Sequence, residues 1–214
     1  MSIQAIIFDF DGVLVDSLAI KGEAFATLYA EYGHDIAHKV LQYHHQHGGI
    51  SRFEKFRYFH HTFLKKTISE TELDTLNNRF SQLVMNAVIQ ANAITGSDAA
   101  LAVLQEKLPL HVVSATPEDE LKTIVIARNM QHYFASVHGS PETKLTHIKS
   151  ILLKYRYHPM QTVMIGDALV DYHAAVDAAI QFVGYVTDGS LNPFPPNAVT
   201  ITTMQSLPQQ LGLI

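Results

Sequence analysis

The chain has 214 residues, 47% of them hydrophobic and 16% charged, with a formal charge of −5 and no cysteine. That length suits one domain of ordinary size or a core domain with a modest insertion, and the apolar fraction is enough to build a real core. No basic stripe marks a nucleic-acid footprint, disulfides and thiol or cysteine-metal chemistry are excluded, and no run is apolar for long enough to span a bilayer. With no secretory pattern at the N-terminus, the expectation is a soluble cytoplasmic protein.

The first apolar run, Ala5–Phe8, reads as a buried strand leading straight into two carboxylates, Asp9 and Asp11. Residues i and i+2 of an extended chain point to the same side. Two bare acids together at the end of a buried strand need a positive charge between them, so a divalent cation and a phosphate substrate are the candidates. Gly12 permits a sharp turn, and Asp16 or Ser17 can cap a following helix.

Residues 18 to about 93 contain no convincing strand. Leu18–Tyr32, Arg52–Lys65 and Glu70–Ala91 read as helices, with Gly33 and Gly48-Gly49 as breaks. Seven histidines fall in this stretch: His34, His38, His44, His45, His47, His60 and His61. His44-His45-x-His47 lacks the i, i+4 helical pairing of a metal site, so these residues read as mostly solvent-facing. Phe53, Phe56, Tyr58, Phe59 and Phe63 read as a local core. In the run from Gly48 to Arg57, two glycines permit a mobile loop and three cations (Arg52, Lys55 and Arg57) follow within six residues.

Near Thr95-Gly96 a strand–helix rhythm begins. Leu110–Val113, Thr162–Ile165 and Phe182–Val186 are nearly continuous in apolar character, as parallel strands covered on both faces are; Val199–Thr202 is a weaker fifth strand. Helical patterns over Asp98–Lys107, Glu118–Asn129, Thr143–Tyr155 and Val170–Ala179 alternate with them, which predicts a doubly wound parallel α/β sheet. Residues 188–197 form a proline-rich surface loop.

Polar groups sit at the carboxyl ends of three of these strands: Asp9 and Asp11, then Ser114, then Asp167 in Gly166-Asp167-Ala168-Leu169-Val170-Asp171. Ligands of open α/β sheets bind outside those ends, so segments more than 100 residues apart converge. Lys144 opens a helix that can reach the same place. Magnesium takes one or two carboxylates together with waters and a substrate phosphate, and Asp9 and Asp167 can supply them. A carboxylate is also a competent nucleophile that forms an aspartyl phosphate. Lys144 and the hydroxyl and N–H groups around Ser114 neutralise and position the phosphoryl group. Asp11 is placed to protonate the leaving oxygen and then activate water.

Together, Asp-Phe-Asp-Gly-Val, the strand-end Ser114, the downstream Lys144 and Gly-Asp-x-x-x-Asp resemble the four motifs of the haloacid dehalogenase (HAD) superfamily. The likeness is to its phosphoglycolate phosphatase and β-phosphoglucomutase-like branch with a helical cap. It implies a Rossmann-like core of residues 1–17 and 94–214 with a cap over 18–93. It implies Asp9 as nucleophile, Asp11 as general acid/base, Ser114 as phosphate ligand alongside Gly12 and Ala115, and Lys144 as the neutralising cation. Magnesium would be held by Asp9, Asp167 and the backbone carbonyl of Asp11, with Asp171 on the metal side. Members of the superfamily select substrates with a cap loop, which makes Arg52, and after it Lys55, the candidates for contacting the rest of the substrate.

The expected activity is magnesium-dependent hydrolysis of a small phosphorylated metabolite by a monomer or homodimer, with no nucleic-acid or membrane partner. Asp11 disfavours dehalogenation, because dehalogenases lack an acid there. Related sugar phosphomutases carry a hinge histidine where this chain has Lys21, and related phosphonate hydrolases use a cap lysine, so both stay open as alternatives. A non-catalytic phosphate-binding relative is the alternative of a different class, set against the presence of Asp9, Asp11 and Lys144.

Overall fold

The computed structural model describes residues 2–214. Its centre is a parallel sheet of β1 (Ala5–Phe8), β2 (Leu110–Pro117), β3 (Ser136–Ser140), β4 (Thr162–Gly166), β5 (Gln181–Tyr185) and β6 (Val199–Ile201). Their order across the sheet is β3-β2-β1-β4-β5-β6. Every residue of β1 is buried. Ile6 pairs with Leu110 on one side and Val163 on the other. The chain leaves β1 toward β2 and β3, then returns to β4 on the opposite side. The strand order therefore reverses at β1, which opens a crevice at the carboxyl ends of β1 and β4. The Asp9 N–H donates to the Ile165 carbonyl at 2.9 Å and carries the ladder one residue past β1.

The sheet has one strand more than the sequence reading predicts. Ser136-Val137-His138-Gly139-Ser140 offers a single β-branched residue, because β3 is an edge strand and needs no continuous apolar run. β2 also runs longer than its apolar stretch, with a register irregularity between Val113 and Pro117. Ser114 thus lies within the strand rather than after it.

The segment between β1 and the rest of the sheet is helical: α1 (Leu18–Tyr29), α2 (His34–Gln46), α3 (Arg52–Tyr58) and α4 (Glu70–Gln90). Its centre is aromatic, with Phe25 against Phe80 at 4.3 Å and edge-on to Phe59 at 5.6 Å between ring centroids. A reciprocal cap between Ser69 and Glu72 starts α4. Arg128 from the sheet side satisfies its other end, donating to the carbonyls of Val88, Ile89 and Ala91 at 2.9, 2.8 and 2.7 Å. α2 is absent from the sequence reading because it is mostly polar. Its apolar stripe is only Ile36, Val40 and Tyr43, at i, i+4 and i+7.

Two expectations need correction. His44 and His60 are buried, whereas His34, His38, His45 and His61 are exposed. Ser17 precedes α1 but makes no side-chain cap, because its hydroxyl is turned to Asp11. Among the described residues, α5 (Ser97–Leu104), α6 (Glu118–Ala127), α7 (Lys144–Tyr155), α8 (Leu169–Asp177) and the short α9 (Leu207–Gln210) complete the layers on the sheet. Among the described residues no helix is long and apolar enough to cross a membrane.

Candidate active site

The ends of β1 and β4 bring three carboxylates into one cluster. Oxygens of Asp9, Asp167 and Asp171 all lie within 4.8 Å of one another. Two glycines make this approach possible. A Cβ on Gly12, which holds φ +81°, would overlap the Asp167 carboxylate, and one on Gly166 would overlap Asp171. Lys144, the first residue of α7, reaches into the cluster and sits 2.7 Å from Asp9 Oδ2 and 2.5 Å from Asp171 Oδ1. The other Asp171 oxygen accepts the Ala168 N–H at 3.1 Å.

Three acids face one ammonium, and the electrostatics record the shortfall. Burial pushes Asp9 up to about 7; Lys144 opposes this, and Asp171 adds to it. Burial raises Asp167 well above the ordinary carboxylate range, with the Asp9 and Asp171 charges adding to it. Lys144 is held above its ordinary value: burial alone would lower it, and the Asp171 and Asp9 carboxylates override burial. Hard oxygen donors with uncompensated negative charge fit magnesium or a similar divalent cation. Asp9 and Asp167 would hold it. Asp171, with both oxygens engaged, holds Lys144.

Asp11 belongs to a different network. Its side chain turns away from the acid cluster toward the helical insertion. Lys21 Nζ lies 2.5 Å from Asp11 Oδ2. Thr116 donates its hydroxyl to the same oxygen at 2.8 Å, Ser114 does so at 3.3 Å, and Ser17 donates to Oδ1 at 2.6 Å. Burial favours the neutral acid, but the Lys21 charge and the hydrogen bonds from Lys21, Ser17 and Thr116 override it and hold Asp11 down to about 2. Any part for Asp11 in metal binding therefore falls to its backbone, not its carboxylate.

Above the rim lies a cavity of about 50 Å³, lined from below by Asp9, Asp11, Ser114, Ala115 and Thr116 and from above by Lys21, Phe25, His44, Arg52, Lys55 and Phe80. Both cap candidates reach it, in different states. Arg52 donates to both Glu120 oxygens, Nη1 at 2.9 Å and Nη2 at 2.5 Å, and to Ser81 at 2.8 Å. Its charge is thus met by α6 across the junction between insertion and sheet. Lys55 has no carboxylate partner among the described residues and donates to His44 Nδ1 at 3.1 Å.

Sequence reasoning missed Thr116, Glu120 and His44 as parts of this site. Thr116 carried a usable signal, since it lies two residues from Ser114 on the same face of a strand. Glu120 and His44 carried none, because their roles depend on how insertion and core meet.

A family model described as haloacid dehalogenase-like hydrolase matches residues 6–185. The chain belongs to this family. Among curated relatives it is similar to 6-phosphogluconate phosphatase of Escherichia coli K12, with 23% identity over 97% of this chain and 94% of that protein. Among solved structures it resembles β-phosphoglucomutase from Clostridium difficile, with a TM-score of 0.76, 18% identity, and 96% and 93% of the two chains covered. It also resembles the magnesium-bound HAD hydrolase YfnB from Bacillus subtilis, with a TM-score of 0.74, 15% identity, and 99% and 100% covered. These two likenesses establish the shared fold.

Proposed function

We propose that this HAD-family hydrolase is a magnesium-dependent phosphatase acting on a small phosphorylated metabolite. The observation that carries this reading is the Asp9 carboxylate, buried at the end of β1 with Lys144 Nζ at 2.7 Å and two further acids in the same cluster. Asp9 attacks phosphorus in line and forms an aspartyl phosphate while the substrate oxygen leaves. Lys144 and the Ser114 hydroxyl hold the phosphoryl oxygens, with the backbone about Gly12 and Ala115 shaping the cradle. Magnesium, when bound, would neutralise charge on those oxygens.

Asp11 is ionised beside Lys21, which prepares it to take a proton from water in the second half-reaction. In the first half-reaction Asp11 gives the leaving oxygen its proton from its minor protonated form, and it regains that proton from the attacking water. The helical insertion, residues 18–93, acts as a cap that excludes bulk water and large polymers.

The named relatives include a phosphatase and a mutase. Lys21 favours hydrolysis here: it is committed to Asp11 and Thr116 at 2.5 and 2.7 Å. The test is release of inorganic phosphate from p-nitrophenyl phosphate with and without magnesium, followed by phosphorus NMR on a hexose 1-phosphate. Magnesium-dependent phosphate release with no isomerised sugar phosphate is the expected result. Isomerisation would make the chain a mutase, and no turnover by a folded, magnesium-bound protein would make it a binding relative.

A further inference from the structure

The acid cluster depends on where Lys144 is held. Lys144 stands in the first turn of α7, which follows a short connection from the end of the edge strand β3 at Gly139 and Ser140. Ser140 gives that connection no side-chain support: it is buried, yet its hydroxyl has no partner among the described residues. The support comes from two side chains that close on the backbone of Gly139. His147 Nε2 lies 2.9 Å from the Gly139 carbonyl. A carbonyl only accepts, so this nitrogen carries the proton and donates. From the other side Glu118, the first residue of α6, accepts the Gly139 N–H at 3.2 Å through Oε2, while its Oε1 holds Lys122 at 2.5 Å. His147 is buried, and the His138 ring packs beside it at 5.0 Å between centroids, with its Nδ1 4.0 Å from the same Glu118 oxygen.

The backbone at this point has no room for a side chain. A Cβ on Gly139 would overlap the Thr116 carbonyl and the backbone of Glu118. Thr116 in turn donates its hydroxyl to Asp11 at 2.8 Å and accepts from Lys21 at 2.7 Å. Gly139 thus sits between two parts of the site, the end of β2 that carries Ser114 and Thr116 and the turn of α7 that carries Lys144. His147 ties α7 to β3, and Glu118 ties β3 to α6. Because His147 stands in the same first turn as Lys144, its contact sets the backbone from which the ammonium reaches Asp9 at 2.7 Å and Asp171 at 2.5 Å. Misplacing a neutralising group by about 1 Å can cost on the order of 10²-fold in rate.

Resting on the phosphatase reading, we propose that His147 is a positioning residue for phosphoryl transfer. Its imidazole, with Glu118 as the opposing grip on Gly139, holds the first turn of α7 so that the Lys144 ammonium meets the phosphoryl oxygens.

The test is made on the full chain with magnesium. His147→Met fills much the same space without the donor, and His147→Gln restores an N–H where Nε2 stood. His147→Met should lower kcat/KM for p-nitrophenyl phosphate about 10- to 100-fold, and His147→Gln should stay within about threefold of wild type. The loss should follow the transition state: in His147→Met, calorimetric affinity for vanadate, a mimic of five-coordinate phosphorus, should fall about tenfold more than affinity for inorganic phosphate. Equal losses of activity in the two variants, or a vanadate-to-phosphate ratio unchanged in His147→Met that keeps the wild-type circular dichroism spectrum, overturn the assignment. Should His147→Met not fold, the half-exposed grip decides it, with Glu118→Met lowering activity and that ratio and Glu118→Gln, which keeps an acceptor, preserving both. If the wild-type protein turns over no ester, the phosphatase reading fails by itself. The nitrogen-15 resonance of the Lys144 ammonium, identified by its loss in Lys144→Met, then decides the role of His147: it should move in His147→Met and return in His147→Gln, and a resonance that stays in place in both removes the role.

Discussion

The floor and the roof of the cavity follow opposite electrostatic plans. The floor, at the ends of β1 and β4, gathers Asp9, Asp167 and Asp171 around a single ammonium and is left with too much negative charge. The roof, on α1 and α3, carries Lys21, Arg52 and Lys55; the sheet side supplies partners for the first two only. Each surface alone would be a poor place to bury charge. Brought together, the two surfaces face opposite charges into one cavity. Asp11 marks the seam, since it rises from the floor yet its carboxylate is owned by a roof lysine.

Breaking the floor should have the largest effect. Asp9→Asn removes the proposed nucleophile with almost no change in shape, and turnover of p-nitrophenyl phosphate should fall on the order of 10³-fold or more. Activity retained within tenfold would place the nucleophile elsewhere. Lys144→Met acts on the same surface through charge. Among the described residues it leaves the acid cluster without the one ammonium that pairs with it, and loss of one partner from a buried pair costs about 3–5 kcal/mol. Urea unfolding followed by circular dichroism should show that loss without magnesium and a partial recovery with it, because a cation then supplies the missing charge. Equal losses in both conditions would mean that the cluster does not bind the ion.

The two surfaces also differed in how far the amino-acid sequence disclosed them. The floor was legible because Asp9 and Asp167 directly follow buried strands, and Asp171 and Lys144 lie in the first turns of the neighbouring helices α8 and α7. A buried strand announces itself by apolar continuity, and the pleat then dictates that Asp9 and Asp11 start out on one side. Even there the reading stopped at the rotamer: the same two-residue spacing that placed both acids at one rim did not reveal that one turns to Lys144 and the other to Lys21. The edge strand β3 escaped notice because an edge can be polar. The roof was harder still. Its residues are fixed by helix packing, where a histidine such as His44 looks like any polar helix residue until α3 is laid against it. Arg52 showed its charge in the sequence but not its partner, Glu120, 68 positions away on another layer.

The Arg52–Glu120 pair gives a way to separate roof from floor without touching Asp9 or Asp11. Glu120→Ala leaves a buried guanidinium with Ser81 and Asn77 as its remaining partners. The expected cost is about 3 kcal/mol, with faster amide exchange in α3 and α4 than in β1 and β4, because the contact spans the junction. The double variant Arg52→Met with Glu120→Leu should regain most of that stability, since replacing both members of a buried pair by apolar groups is close to neutral. Uniform exchange across core and insertion would show that the pair does not fasten the two together.

The smallest effect compares one buried imidazole from each region. His44 in the insertion is held down to about 3 by burial and then by Lys55; His111 in β2 is held down to about 4 by burial and then by His138. In the unfolded chain both titrate near the ordinary value of 6.5. Between that value and the depressed one, the unfolded state binds the extra proton, so the stability each neutral imidazole contributes is fully present above 6.5 and is lost as pH falls toward 4 or 3. The slope is about 1.4 kcal/mol per pH unit for each group. The raised floor carboxylates have the opposite sign when no cation is bound, because their folded forms keep protons that the unfolded chain has released. The measurement must therefore be a difference: unfolding free energy from pH 6.5 to 4.5 in saturating magnesium, wild type against His111→Gln. Loss of about one proton's worth of slope in the variant is expected. An unchanged slope would mean that His111, despite its burial against Ser136 and Tyr157 at 2.7 and 3.3 Å, already carries its proton in the folded protein.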